Sequence, residues 1–213
     1  MNGSSIPQKS SASDLGILID TSLKFHQHIS NLAHRAGGLS NNILRATVNR
    51  ESSFMLPLFV SHIRPILEYS SSLWNLGYIG DLKLLESVQR RWTKAIEGLE
   101  NLDYGARLRA LNFFSVKGRL IRHDLIKFWQ IFHSLNALSP NDLFTLSTYT
   151  ATRGHPFKIS ISRCRLDLRK RFFNFRHVNL WNSLPSSIVS LEDLVSCKTA
   201  LSLHLGDLLF DFH

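Results

Sequence analysis

The residues best suited to chemistry lie in one basic stretch in the second half of the chain. Between Arg153 and Arg176 there are eight Lys or Arg residues and a single acid, Asp167, so this stretch carries most of the net charge of +9. Guanidinium groups donate forked hydrogen bonds that match phosphate oxygens, and the interleaved Phe173 or Phe175 could stack on bases. The pattern predicts contact with RNA or DNA through Arg163, Arg165, Arg169, Lys170, Arg171 and Arg176.

A structural interpretation of the same stretch stays open. Phe172, Phe173 and Phe175 could belong to the hydrophobic core, with the cations merely solvating one face of the protein. A second basic group, Gln89-Arg90-Arg91-Trp92 with Lys94, has a similar composition. It lies in a predicted amphipathic helix with acids nearby, and there a solvated helix face is at least as good an interpretation.

Other catalytic and metal-binding patterns are absent from the sequence. It contains no GxxxxGK[ST], GxGxxG, GxSxG or HExxH motif and no pair of cysteines at ligand spacing. The sequence therefore gives no support for a phosphate-binding loop, a dinucleotide site, a serine hydrolase or a zinc peptidase. His26 and His28 are two positions apart and would point to different sides of a helix, so with His34 they make a poor ligand set. Glu192-Asp193 fits the N-terminus of a helix better than a metal site. We therefore expect neither a metal nor a cofactor.

Composition sets further limits. The 213 residues are 44% hydrophobic, enough for one sizeable core or two small ones. Cys164 and Cys197 are far apart in sequence, which argues against a disulfide-stapled secreted domain. No stretch has the uninterrupted apolar length of a spanning helix, and the start of the chain lacks an apolar signal segment. These features predict an intracellular protein without membrane contact, in the nucleus or the cytoplasm.

The elements that would position the basic stretch are mainly helices. Residues 1–13 are rich in Ser and Gly and predict a flexible lead-in, and Leu15–Ile19 predicts a short buried strand. Apolar spacings of three and four residues then predict a series of helices. These are Phe25–Ala46 with a weak point at Gly37-Gly38, Glu51–Trp74 interrupted by Pro57 and Pro65 and apolar all round, a helix from an N-cap at Asp81 to Gly98, Tyr104–Leu111 and Val116–Leu135.

The predicted architecture is thus mainly α, with a helical region over 14–146 followed by a basic C-terminal region over 147–213. The Thr-rich segment 147–156 predicts a loop between them. Alternation over 157–170 predicts a small β element of one or two short strands. Helical patterns return over 172–184 and 191–205.

The order of these segments resembles the region that follows the polymerase core in reverse transcriptases of non-LTR retrotransposons, jockey-like elements especially. Two blocks carry the resemblance most specifically: RPxLEYxSxxWN, here Arg64 to Asn75, and VNxWNSLP, here Val178 to Pro185. The collinear segments DLGILIDTSLKFHQHI (14–29), LESVQRRWTKAI (85–96), YGARLRALNFFSVKGRLIRHDLIKFWQIFHSL (104–135), RGHPFKI (153–159) and RLDLRKRFFNF (165–175) extend it over nearly the whole chain after residue 13.

This resemblance implies a thumb-like helical region that grips a template and primer duplex, followed by a basic post-thumb region. It also implies that catalysis is missing, because polymerases of this kind hold two metal ions on palm aspartates and no Asp-Asp pair occurs in these 213 residues. The expected function is that of a non-catalytic C-terminal fragment that binds RNA or DNA electrostatically, with the rest of such a polymerase or another protein as a further partner. The alternative is a helical protein-interaction piece or an inert remnant of a transposable element.

Overall fold

The structure is a computed structural model that describes residues 9–135, 137–147 and 154–212. It is mainly helical, which confirms the predicted fold class. Most of the predicted loop at 147–156, including Arg153, and residues 1–8 of the predicted lead-in lie outside the described residues.

The described part begins with a two-stranded antiparallel hairpin. Strand β1, Ser11–Asp14, pairs with β2, Ile17–Asp20, in a register that sets Asp14 opposite Ile17. The connecting Leu15 and Gly16 both have positive φ, 46° and 82°, as a two-residue hairpin turn requires. Two predictions are therefore wrong: residues 11–13 form a strand rather than a flexible lead-in, and Leu15 lies exposed in the turn rather than in a buried strand.

The helices of the first half follow the predicted order. They are α1 His26–Ala46, α2 Ser52–Leu58, a π-helix Phe59–Ile63, α3 Arg64–Glu68, α4 Ser71–Trp74, α5 Ile79–Lys94, α6 Tyr104–Ala110 and α7 Val116–Phe132. Helix α1 runs unbroken through Gly37-Gly38. Pro65 lies in the first turn of α3, where a missing N–H is tolerated, and the chain breaks at Ser70, whose φ is 52°.

Two details of this half differ from prediction. The segment from Glu51 to Trp74 is not buried all round, because Phe54, Val60, Tyr69 and Leu73 are exposed. Asp81 is not an N-cap: α5 begins two residues earlier, and the Asp81 carboxylate accepts a hydrogen bond at 2.7 Å from Nδ1 of His26 on α1.

The second half is built from shorter pieces. They are α8 Pro140–Leu143, α9 Asp167–Lys170, α10 Phe173–Arg176, α11 Val178–Ser183, α12 Ser186–Val189, α13 Leu194–Leu205 and a 3₁₀-helix Gly206–Leu209. The predicted strands over 157–170 are wrong: the described residues there form one isolated bridge, Leu146 with Ile159, and Leu168 lies in α9. Asp193 caps α13 by accepting a hydrogen bond from the Ser196 N–H at 2.7 Å, as the sequence predicts.

Helix α7 connects two hydrophobic cores. Its first turns, Val116 and Leu120, pack in a core with α1, the π-helix and α5. Its later turns, from Leu125 to Phe132, pack in a second core with α11 and α13. Phe144 and Ile159 lie together in this second core, so the packing crosses the border at residue 147 that composition predicts.

A buried carboxyl lies at the N-terminus of α7, next to its N-cap Ser115. Glu86 of α5 accepts a hydrogen bond at 3.0 Å from the Val116 N–H and another from the Tyr104 hydroxyl. A helix N-terminus favours an acidic group because its first N–H groups have no partner inside the helix. Burial raises the pKa of Glu86 above its ordinary value, with these hydrogen bonds opposing the rise. Glu86 thereby joins α5, α6 and α7.

Candidate nucleic-acid interface

Part of the basic stretch lines a cleft of about 460 Å³ beside α8 and α10. Three of the six predicted cations, Arg163, Arg165 and Arg169, line it and are exposed. Within the part of the chain that the structure describes, none of the three side chains forms an ion pair with an acid. The remaining polar lining consists of Thr145, Ser160, Ser162, Cys164 and Asn174. The cleft therefore combines free positive charge with hydroxyl and amide groups.

An aromatic ring lies at the same cleft. Phe175 on α10 is half-buried and lines it, and the Arg169 guanidinium lies 5.4 Å from the centre of its ring. Asn174 Nδ2 donates to the Leu143 carbonyl at 3.1 Å, which fastens α10 to α8. The cleft can thus offer both a cation for phosphate and a ring face for a base.

Phe173 takes a different position from Phe175. Its ring packs edge-on against Phe128 with centroids 4.9 Å apart, and it belongs to the second core. Phe172 packs against the first core. Of the two rings predicted as stacking candidates, Phe175 alone lines the cleft, and Phe173 is corrected to a packing residue.

Lys170 is exposed but has an acidic partner. Its ammonium lies 2.7 Å from the Asp167 carboxylate, one turn earlier in α9. The hydrogen bond between them raises the pKa of Lys170 and lowers the pKa of Asp167. Exposed pairs of this kind are weak, so Lys170 stays accessible with its charge partly offset.

Arg171 packs toward the first half of the chain. Its guanidinium lies 4.4 Å from the centre of the Tyr78 ring, and Nη1 donates to the Leu76 carbonyl at 3.2 Å. The side chain is half-buried between α9 and the loop before α5. Through these contacts Arg171 joins α9 to the loop before α5, so it is not available as a free cation.

Arg176 is a buried structural residue, which corrects its prediction as a phosphate contact. Nε and Nη2 donate to the two carboxylate oxygens of Asp124 on α7 at 2.7 and 2.8 Å. Nη2 also donates to the Ser72 carbonyl at 3.1 Å. The side chain is 6% exposed and that of Asp124 is 0% exposed, so the guanidinium is buried in the fold and has almost no surface to offer a ligand.

The second basic group divides between the core, which takes Gln89 and Trp92, and the exposed face of α5, which carries Arg90, Arg91 and Lys94. Gln89 is buried and donates to the Phe114 carbonyl at 2.9 Å, and Trp92 is fully buried. Arg90 lies over the Tyr104 ring at 4.8 Å, and Arg91 donates to Asn41 at 3.2 Å.

The histidines of the described ranges belong to no larger cluster of metal-ligating side chains. Across the described ranges, no group of three or more His, Cys, Asp or Glu side chains could hold a metal ion. His28 is buried against Trp74, its Nδ1 accepts from the Leu18 N–H at 3.3 Å, and burial lowers its pKa below the ordinary value.

Sequence reasoning missed the polar lining of the arginine cleft, which is the cleft lined by Arg163, Arg165 and Arg169. Thr145, Ser160 and Asn174 are separated by long stretches of chain, and no spacing pattern links them. Only the packing of α8 and α10 around the segment after Ile159 brings them together.

Comparison with known proteins adds no relative: no family model, curated protein or solved structure matches the chain. Among the described helices, none is both long and apolar enough to cross a membrane.

Proposed function

We propose that this chain is a non-catalytic nucleic-acid-binding piece, akin to the C-terminal region of a non-LTR retrotransposon reverse transcriptase. In this proposal Arg163, Arg165 and Arg169 bind phosphates of RNA or DNA. The observation that carries it is the cleft in which these three exposed guanidiniums lie beside Phe175, with no acidic partner among the residues that the structure describes.

The chemistry of the lining supports a nucleic acid over a simple anion. One guanidinium group can donate two parallel hydrogen bonds to the oxygens of a phosphate. An aromatic face can stack on any base, so the contact would depend little on the base sequence of the nucleic acid. The hydroxyls of Ser160 and Ser162 and the amide of Asn174 can donate to or accept from sugar hydroxyls and base edges. The free energy of such binding is mostly electrostatic, so the affinity falls as the salt concentration rises.

The number of free cations gives the size of the salt effect. Each phosphate neutralised on a single strand contributes about −0.7 to the slope of log K against log salt concentration. Three arginines therefore contribute a slope of about −2. Lys170 adds less than a full contact because Asp167 lies 2.7 Å from its ammonium.

The test is a fluorescence-anisotropy titration of the whole chain against single-stranded RNA, single-stranded DNA and a duplex at several salt concentrations. The triple variant Arg163→Gln, Arg165→Gln, Arg169→Gln should lose about a hundredfold or more in affinity at low salt, since each of the three charge-assisted contacts is worth about 1 kcal/mol or more and each 1.4 kcal/mol is about tenfold. Its salt slope should become shallower by about 2.

A matched control removes the same charge elsewhere. Arg35, Arg45 and Arg91 are exposed on α1 and α5, away from the cleft, and their triple change to Gln should leave most of the affinity. Equal losses in the two triple variants would show diffuse attraction to the whole basic protein and would reject the cleft.

Two further results would overturn the proposal as a whole. Folded wild-type protein that binds no nucleic acid at low salt would favour a helical protein-interaction piece or an inert remnant. Primer extension by the purified chain with Mg²⁺ would contradict its non-catalytic character.

A further inference from the structure

We propose that a second cleft, between α4, α7 and α13, is a binding site for a phosphate-bearing ligand. The cleft has a volume of about 650 Å³. Its wall carries the cations Arg122, Lys127 and Lys198, and the hydroxyl residues Ser70, Ser71 and Ser72 also line it. The proposal does not rest on the arginine cleft described above, because the two clefts share no residue.

The cations are brought to the cleft by two packed helices. His123, Ile126, Lys127 and Gln130 on α7 are spaced at i, i+3, i+4 and i+7 and line the same cleft, since residues at this spacing share one helix face. Lys198 comes from α13, which packs against α7 in the second core. The charge on the cleft is therefore held by rigid elements.

Arg122 is oriented before any ligand arrives. Its Nε donates to the Ser202 hydroxyl at 2.8 Å and its Nη2 donates to the Lys198 carbonyl at 3.0 Å, both on α13. Among the described residues, its Nη1 has no hydrogen-bond acceptor. A guanidinium held by two neutral acceptors keeps its full charge, and the remaining nitrogen can donate to an anion.

The acid that lines the cleft is already paired. The Glu68 carboxylate accepts a hydrogen bond from Arg119, lies 3.2 Å from Arg64 Nε and lies 3.5 Å from His123 Nε2. Burial by itself would raise the pKa of Glu68, but these neighbours hold it below its ordinary value. Glu68 therefore stays ionised and is matched by its own partners, and within the described ranges none of the three cleft cations forms a salt bridge.

Three unmatched cations beside serine hydroxyls select the class of ligand. A phosphate group offers several charged acceptor oxygens, whereas a carboxylate offers two oxygens that share one charge. The phosphate could come from a free phosphate compound or from the backbone of a nucleic acid, and both are recognised by the same donors.

The test uses the full chain and two double variants that each lose two charges. Lys127→Gln with Lys198→Gln changes the cleft, and Lys83→Gln with Lys94→Gln changes two exposed lysines of α5 that line neither cleft. Isothermal titration calorimetry at low salt measures binding of inorganic pyrophosphate, and fluorescence anisotropy measures binding of a short single-stranded oligonucleotide. Circular dichroism and thermal melting confirm that both variants are folded.

The cleft variant should bind pyrophosphate about tenfold or more weakly than the wild type, because two charge-assisted hydrogen bonds are removed, and the α5 variant should match the wild type. If only the oligonucleotide, and not pyrophosphate, binds the cleft variant more weakly than the α5 variant, the site is also supported. The nucleic acid backbone is then the source of the phosphate. Equal affinities of the two variants for both probes, or no binding of either probe to the wild type, would overturn the proposal. The double variant of Lys127 and Lys198 keeps Arg163, Arg165 and Arg169, and the triple variant of those arginines keeps Lys127 and Lys198. This site and the arginine cleft can therefore fail independently.

Discussion

Replacing Arg176 with Gln tests whether this residue holds the fold together rather than binding phosphate. The change leaves the Asp124 carboxylate, which is 0% exposed, without the cation that donates to both of its oxygens. Breaking a buried pair by removing one partner costs about 3–5 kcal/mol in the free energy of unfolding. For a chain of this length, 1 kcal/mol shifts the melting temperature by about 2–4 °C, so we expect a fall of roughly 6–20 °C.

The pH dependence of this variant follows from the same carboxyl. Burial raises the pKa of Asp124 above its ordinary value, and the attraction of Arg176 opposes the rise. Without Arg176 the pKa rises further, so the folded state binds the proton more tightly than the unfolded state. The free energy of unfolding of the variant therefore falls as the pH rises through the folded-state pKa. The difference in the free energy of unfolding between the variant and the wild type should shrink as the pH is lowered toward the pKa of the carboxyl in the unfolded state.

The assay is urea unfolding followed by tryptophan fluorescence between pH 4 and pH 8. Arg163→Gln is the matched control, since it removes the same group from an exposed position and should change the free energy of unfolding by less than about 0.5 kcal/mol. The double variant Arg176→Gln with Asp124→Asn should recover part of the loss, because the uncompensated charge is then gone. Equal stabilities of Arg176→Gln and Arg163→Gln, together with a loss of nucleic-acid binding in the first, would refute the structural role of Arg176.

Two further changes test the packing of the fold. Gly118→Ala places a Cβ in steric overlap with the Leu209 carbonyl oxygen, so we expect a loss of about 2 kcal/mol or more in the free energy of unfolding; Gly38→Ala in α1 meets nothing within 4 Å and should stabilise the protein by up to about 1 kcal/mol. Urea midpoints measure both, and similar effects from the two changes would contradict the close packing of α7 against the C-terminal 3₁₀-helix. Burial, and secondarily Arg176, lowers the pKa of His177 from 6.5 to about 3. As the pH falls, His177 therefore takes up a proton in the unfolded chain before it does so in the folded protein. The free energy of unfolding should drop by about 1.4 kcal/mol per pH unit below about pH 6 through this residue, and His177→Asn should remove that part of the slope in urea midpoints measured against pH; an unchanged slope would show that the fold does not hold His177 in its neutral form.

The strongly periodic helices could be predicted from the sequence because each encodes its own buried face. Helices α1, α5 and α7 repeat apolar residues every three or four positions, and this local pattern is enough to predict both the element and its orientation toward a core. The predicted strands over 157–170 failed for a physical reason. Alternating apolar residues form a sheet only when a partner strand satisfies their backbone groups, and among the described residues Ile159 has a single bridging partner, Leu146.

The basic stretch shows the limit of sequence reasoning most clearly. The sequence by itself determined that this stretch holds most of the net charge and four phenylalanine rings, since charge and composition are properties of the chain alone. It could not separate Arg176 from Arg163, because the partner that buries Arg176 is Asp124, 52 positions away. Ion pairing and burial depend on distances through space, and only the tertiary structure decided which cations are used within the fold and which are left for a ligand.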